Sequence, residues 1–305
     1  MSLPHIPVLS REITELFGAM KEGLFVDCTI GYGGHSEAIL RSFSAIRCIG
    51  IDRDKTAIEF SKNRLKEFGD RVGFIQGSFG TIFPTLKKDD IVGVLADLGV
   101  SSPQLCGDDR GFSFSSSALD MRMDTNAEIS AEEIVNNYST EELVKIFVEY
   151  GEEREAHKIA SLIAANRPFK TAKELADLVA KNIMRRKIHP ATKIFQAIRI
   201  AVNHELEELR LLLDEAEKLQ KGAIVGIISF HSLEDRMVKE RFKEWARECV
   251  CPTEAIRCLC GGNHALGRIL TKKPIVAGRD EVKANPKSRS AKLRGFSFLR
   301  GLNET

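Results

Sequence analysis

Apolar positions repeat with one period through the first hundred residues of this chain and with another through the next hundred. In the first stretch, short β-branched runs end in turn residues and alternate with helical patterns. The runs are Leu24 to Thr29, Arg47 to Asp52, Val72 to Gln76 and Ile91 to Asp97. Between the second and third, Ile58, Leu65 and Phe68 recur at roughly helical spacing behind Asp54, a residue placed to cap that helix. This alternation predicts an α/β fold on a parallel sheet, with ligand sites at the carboxyl ends of the strands. After Gly107 a Ser-, Asp- and Gly-rich stretch over 107–126 gives way to helical patterns that end near Gln220. Three S/T-x-x-E signatures, Ser130/Glu133, Ser139/Glu142 and Thr171/Glu174, mark helix starts there. GAIVGIIS, from Gly222 to Ser229, then resumes the buried-strand pattern, and the runs Arg268 to Thr271 and Gly295 to Leu299 are expected to close the sheet as a hairpin. The expected organisation is a sheet domain over 1–107 and 221–305, with an all-helical domain over 108–220 inserted between its fourth and fifth strands.

Composition adds limits. With 43% hydrophobic and 29% charged residues the chain is globular, and its longest apolar stretch, around Ala223 to Ile228, is far short of the ~20 residues that cross a bilayer. The opening MSLPHIPVLSREITELFGAM lacks a basic stretch followed by a long apolar run, so no secretory leader and a cytoplasmic location are expected. Seven cysteines, an odd number, fit reduced thiols better than a disulfide framework. Net charge is only +2, but from Ala265 to Thr305 ten Lys or Arg face three acids, a local excess suited to an anionic partner such as nucleic acid.

The strand ends carry the chemistry. VDCTIGYGGHSEAIL, residues 26 to 40, holds three glycines in four positions after a strand, but Ser36 stands where a dinucleotide fingerprint needs its last glycine. Asp27 followed by Gly31, Gly33 and Gly34 instead gives the D-x-x-x-G-x-G spacing of an S-adenosylmethionine site, where a carboxylate can meet the ammonium group of the cofactor. Asp52, ending the second strand, is placed for ribose hydroxyls, and Phe79 after the third is either an adenine contact or core. The fourth strand ends in ADLGVSSPQL, where Asp97 can accept hydrogen bonds from an exocyclic amine or serve the cofactor. ISFHSLEDR, residues 228 to 236, puts Phe230 and His231 on the same rim as a candidate substrate wall.

Taken together, HIPVL at 5 to 9, DCTIGYGGHSEAIL at 27 to 40, ADLGVSSPQL at 96 to 105, RGFSF at 110 to 114, LDMRMD at 119 to 124, FQAIRIAVNHEL at 195 to 206 and ISFHSLEDR at 228 to 236 resemble the bacterial MraW or RsmH family, the ribosomal RNA small subunit methyltransferase H type. The resemblance implies a class I S-adenosylmethionine-dependent methyltransferase sheet with an inserted helical domain. It also implies methyl transfer to the N4 amine of a cytidine in the decoding centre of 16S rRNA, so the partner is that RNA or the small ribosomal subunit. Carried over by motif, cofactor contacts fall on Gly33, Gly34, His35, Asp52, Phe79, Asp97 and Gln104, with Asp97 also the candidate catalytic residue. Ser101, Phe230, His231 and Arg186 are candidate substrate contacts, and RGFSF and LDMRMD could line the substrate groove. Basic groups at Arg185 to Lys187 and at Lys287, Arg289, Lys292 and Arg294 would then track the RNA backbone.

Two other classes compete. An NAD-dependent dehydrogenase would use the glycine turn and Asp52 but lacks the third glycine, and a non-catalytic RNA-binding assembly factor would be expected to have eroded the acids and glycines that stand here intact. Cys249, Cys251, Cys258 and Cys260, spaced C-x-C-x6-C-x-C with His264 close by, offer enough soft ligands for tetrahedral zinc. The spacing is tighter than the usual C-x2-C pairs and methyl transfer requires no metal, so free thiols are the first expectation and zinc the alternative.

Overall fold

The computed structural model describes residues 7–99, 110–184, 188–252, 254–255 and 257–300. The chain forms two compact units, one made of Met1–Gly99 with Glu207–Thr305 and the other of Val100–Leu206.

The first unit is built on one eight-stranded sheet. Its strands are β1 (Gly23–Asp27), β2 (Ile46–Asp52), β3 (Val72–Gln76), β4 (Ile91–Asp97), β5 (Ile224–Ser229), β6 (Gly267–Ile269), β7 (Ile275–Val276) and β8 (Lys292–Phe298). They run in the order β3-β2-β1-β4-β5-β8-β6, with β7 also on β8. β1 to β5 are mutually parallel, and β8 enters antiparallel beside β5. All six residues of β5 are buried, as a continuous apolar run requires in a strand covered on both faces. The late runs do pair, Gly267 opposite Phe298, but β8 lies between β5 and β6, and a long excursion rather than a tight turn joins β6 to β8.

Among the described residues of this unit, the α-helices that come before the helical unit are α1 (Ser10–Leu16), α2 (Gly34–Ser42), α3 (Lys55–Arg64) and α4 (Phe79–Ile82). α1 lies directly on the sheet because Gly226 and Gly295, partners across β5 and β8, leave room for it: a Cβ on either would stand 2.9 and 2.4 Å from Leu16. The other unit contains α5 (Ala131–Asn137), α6 (Thr140–Glu149), α7 (Ala156–Ala165), α8 (Ala172–Asn182) and α9 (Thr192–Asn203). They enclose a core of their own, including Ile134, Phe147, Ile159, Leu175 and Ile198.

Next come α10 (Glu205–Ala216) and α11 (Ser232–Trp245), with the short α12 (Arg279–Ala284) near the end. The expected boundary at residue 220 places α10 in the helical insert. Instead its stripe Leu209, Leu212, Leu213 and Ala216 shares a core with Val94, Val225, Ile227 and Phe296 of the sheet. Helical period marks an apolar face but not which core receives it. RGFSF and LDMRMD also differ from expectation, because Phe112, Leu119 and Met121 are buried in the helical core. Asn203 fixes the second segment by accepting from the Met123 N–H at 2.7 Å and donating to the Met121 carbonyl at 2.8 Å.

The three S/T-x-x-E signatures all cap helices, but unequally. Ser139 and Thr171 make reciprocal capping boxes with Glu142 and Glu174, whereas Ser130 accepts from the Glu133 N–H without a return bond. Among the described residues no helix is long and apolar enough to cross a membrane. Thr171→Ala, which breaks a full box, is expected to destabilise α8 by about 1 kcal/mol, and Ser130→Ala to affect α5 less. Amide hydrogen exchange in the first turn of each helix measures both.

Candidate functional site

Strand order reverses between β1 and β4, which pair with each other while their neighbours diverge, and such a point opens a crevice at the carboxyl ends of the strands. Around it the first unit collects its unusual polar groups. The turn from β1 into α2 uses Gly31 and Gly33 at φ of 51° and 74°, a region costly for residues with a Cβ. Asp27 ends β1 just ahead of this turn. It is fully buried, accepts from the Ser36 hydroxyl at 2.6 Å and the Thr29 N–H at 3.2 Å, and burial raises its carboxyl above the ordinary range against these donors. Ser36, the residue that breaks the dinucleotide pattern, thus has a positive role: it ties the first turn of α2 to the end of β1.

Asp52 closes the turn from the other side. Its two oxygens accept from Gly31 N–H at 2.8 Å and Asp54 N–H at 2.9 Å, while Asp54 caps α3 through the Thr56 N–H, as its position predicts. Burial pushes the Asp52 carboxyl up to about 6, with the two backbone donors opposing. Two accepted bonds leave lone pairs for further donors. Phe79, half-buried, opens α4 and packs against the same core as α10. Its turn is held by Glu208, which no spacing argument selected. The Glu208 carboxylate accepts from the Ser78 hydroxyl and from the Gly80 N–H at 2.8 Å, and pairs with Arg53 at 3.0 Å.

β4 brings the deciding groups. The Asp97 N–H donates to Thr29 Oγ1 at 2.7 Å, fixing the end of β4 against β1. Asp97 Oδ2 lies 3.5 Å from His35 Nε2 at the start of α2. Among the described residues His35 Nδ1, His35 Nε2 and Asp97 Oδ1 are buried without a hydrogen-bond partner. A folded chain rarely leaves three such atoms together unless something else satisfies them. Phe230 closes one side, packing on Gly99 so tightly that a Cβ there would sit 3.0 Å from the ring. His231 caps α11 in a box with Glu234, whose carboxylate accepts from the Phe230 and His231 N–H groups, and its Nε2, 3.1 Å from Glu234 Oε1, is likewise buried without a hydrogen-bond partner. Its ring shape and acceptor nitrogen imitate the usual Ser or Asp cap, which sequence spacing alone did not single out.

The expected contacts Ser101, Gln104 and Arg186 lie outside the described residues. Of the basic groups expected to track RNA, Lys292 and Arg294 are already paired with Asp235, at 3.2 and 2.7 Å, and Arg294 is buried. Arg289 is exposed. The four clustered cysteines come together on the segment after α11.

The model of the MraW methylase family matches residues 2–299. The chain belongs to the MraW methylase family. It is 57% identical to the ribosomal RNA small subunit methyltransferase H of Nitratiruptor, over 98% of this chain and 99% of that one. Proteins of the same name from Nautilia profundicola and Wolinella succinogenes are 55% and 53% identical over 98% of this chain, and over 98% and 99% of theirs. This MraW-family methylase therefore has the class I methyltransferase sheet and uses S-adenosylmethionine. The residues fit that cofactor: a glycine turn passes close to the crevice, and His35 and Asp97 present unsatisfied polar atoms beside it. Ser36→Ala leaves the buried Asp27 carboxylate without its 2.6 Å donor. The expected loss is about 1–3 kcal/mol of stability, measured as a lower urea midpoint at unchanged slope.

Proposed function

We propose that this methylase transfers the methyl group of S-adenosylmethionine to the N4 amine of a cytidine in the decoding centre of 16S rRNA. The reading rests on the names of its relatives for the RNA, and on one observation for the chemistry: the unsatisfied Asp97 and His35 atoms at the end of β4 beside the glycine turn. Gly33, Gly34, His35, Asp52, Phe79 and Gln104 hold the cofactor. When bound, it supplies an electrophilic methyl on a sulfonium.

The cytosine amine is conjugated into its ring and a poor nucleophile. Asp97 accepts one of its N–H bonds, which raises electron density on nitrogen and fixes its line of approach; placement of this kind is worth up to ~7–11 kcal/mol in favourable cases. As the N–C bond forms and the C–S bond breaks, the nitrogen must lose one proton. Asp97 receives it, with His35 Nε2 3.5 Å away as the next acceptor. Phe230, beside the Gly99 turn, offers a ring face to a base swung out of the RNA, at a cost of a few kcal/mol that is least for an unpaired nucleotide.

Mass mapping of 16S rRNA from cells with and without the gene tests reaction, atom and position together. The expected result is loss of one N4-methyl, restored by the wild-type gene and not by Asp97→Ala. An unchanged methylation map would overturn the proposal, and full rescue by Asp97→Ala would remove that residue from the reaction.

Asp52 gives a separate readout. Its carboxyl is raised to about 6 in the unliganded protein, and ribose hydroxyls donate more strongly to the ionised form, which offers two acceptor oxygens and no competing proton. Binding therefore lowers its pKa, so cofactor affinity is full above that value and falls as pH drops through it, by up to about tenfold per pH unit. Calorimetry between about pH 5 and about pH 8 is expected to show this slope. Asp52→Asn should flatten it, and a flat wild-type profile would take Asp52 out of the ribose contact.

A further inference from the structure

We infer that Cys249, Cys251, Cys258 and Cys260 form a mononuclear tetrathiolate site for zinc that holds the segment between α11 and β6. The four sulfurs lie within 4.8 Å of one another. Three of the separations are 3.6 Å for Cys249 to Cys258, 3.6 Å for Cys258 to Cys260 and 3.7 Å for Cys249 to Cys260. A Zn–S bond of about 2.3 Å sets the edge of a regular tetrahedron at about 3.8 Å, close to these values. A disulfide would bring two sulfurs to about 2.05 Å, and none of the four is so paired.

The backbone prepares the same site. Cys251 Sγ accepts from the N–H groups of Leu259 at 3.2 Å and Cys260 at 3.3 Å. Cys260 Sγ in turn accepts from the N–H groups of Gly262 and Val250, and Cys249 from that of Cys251. Each C-x-C pair thus donates to a sulfur of the other, so the backbone holds the two pairs face to face. The chain turns sharply after Cys260 through Gly261, Gly262 and Asn263, at φ of 78°, 71° and 62°. His264 is not a ligand: its ring nitrogen meets the Cys260 carbonyl at 3.0 Å. Four sulfurs complete a tetrahedron with no open position, which is the pattern of structural rather than catalytic zinc.

A staple is also what this segment lacks otherwise. Between Trp245 and Gly267 no described residue is buried, and Val250 and Leu259, the middle residues of the two C-x-C pairs, are 53% and 87% exposed. A segment without an apolar core needs a cross-link or a metal to stay folded. Its base is tied down by the Leu266 N–H to the Trp245 carbonyl at 2.7 Å and the His264 N–H to the Glu248 carbonyl at 2.9 Å. Those bonds close the loop at its base, and beyond them Arg247 donates to the Cys251 carbonyl at 3.0 Å beside the four sulfurs.

The test uses the full chain purified without chelators and desalted. Elemental analysis is expected to find about one zinc per chain. Alkylation mapped by mass spectrometry should spare all four cysteines until zinc is withdrawn by a strong chelator, then label them. Cys251→Ser/Cys258→Ser should lose the metal while still binding S-adenosylmethionine by calorimetry, which separates the site from the methyl-transfer reading. Should that variant fail to fold, the alkylation pattern of the wild-type chain decides. Substoichiometric zinc with all four thiols labelled at once would overturn the site, and stoichiometric iron in its place would overturn zinc as its occupant.

Discussion

The hydrogen bond from Ser36 to the buried Asp27 carboxylate is the constraint on which the site depends. It joins the last residue of β1 to the first turn of α2 in a place water does not reach, so the glycine turn between them has one shape. Asp52 fixes the far side of that turn through the Gly31 N–H, and Thr29 ties β1 to Asp97 on β4. Three strand ends are thereby locked in register. Only with that register set can His35, carried by α2, stand 3.5 Å from Asp97. Buried carboxylates that accept backbone and hydroxyl donors are costly to assemble and rigid once made, which suits a reaction whose main demand is placement.

The rest of the first unit serves this edge. Helices cover both faces of the sheet, and paired glycines in β5 and β8 let α1 sit directly on the strands. Glu208 on α10 reaches the turn after β3, joining Ser78, Gly80 and Arg53 in one charged knot. The helical unit, by contrast, is held by its own apolar core and capped helices, and the segment of Met121 and Met123 ahead of its helices is anchored through Asn203. The cysteine segment follows a third strategy, with no buried apolar side chain among the described residues between Trp245 and Gly267 and four converging sulfurs in its place.

Much of this was legible in the sequence. Apolar and β-branched runs located β1 to β5 to within two residues, most plainly β4 and β5, where a parallel strand covered on both faces tolerates little else. The capping signatures marked three helix starts, and glycine with acid at the strand ends pointed to the cofactor class. Alternation and spacing are local properties, and these features are local too. Non-local choices were not legible. α10 carries an ordinary amphipathic stripe, and nothing in its period says that the sheet rather than the helical core receives it. Phe112, Leu119 and Met121 lie in segments that read as a polar loop, yet they are buried.

The same division holds for the site. From residue type and position the sequence determined that Asp52 and Asp97 end strands on the rim of a sheet, that the turn between β1 and α2 needs glycine, and that four cysteines stand in two close pairs. Tertiary structure alone decided which of the acids is available. Asp27 spends its oxygens on Ser36 and Thr29, and Asp235 takes up Lys292 and Arg294, whereas His35 and Asp97 keep buried atoms unsatisfied. The reason is physical: whether a polar group serves the fold or a ligand depends on which donors the fold brings within about 3 Å, and those donors come from residues distant in the chain.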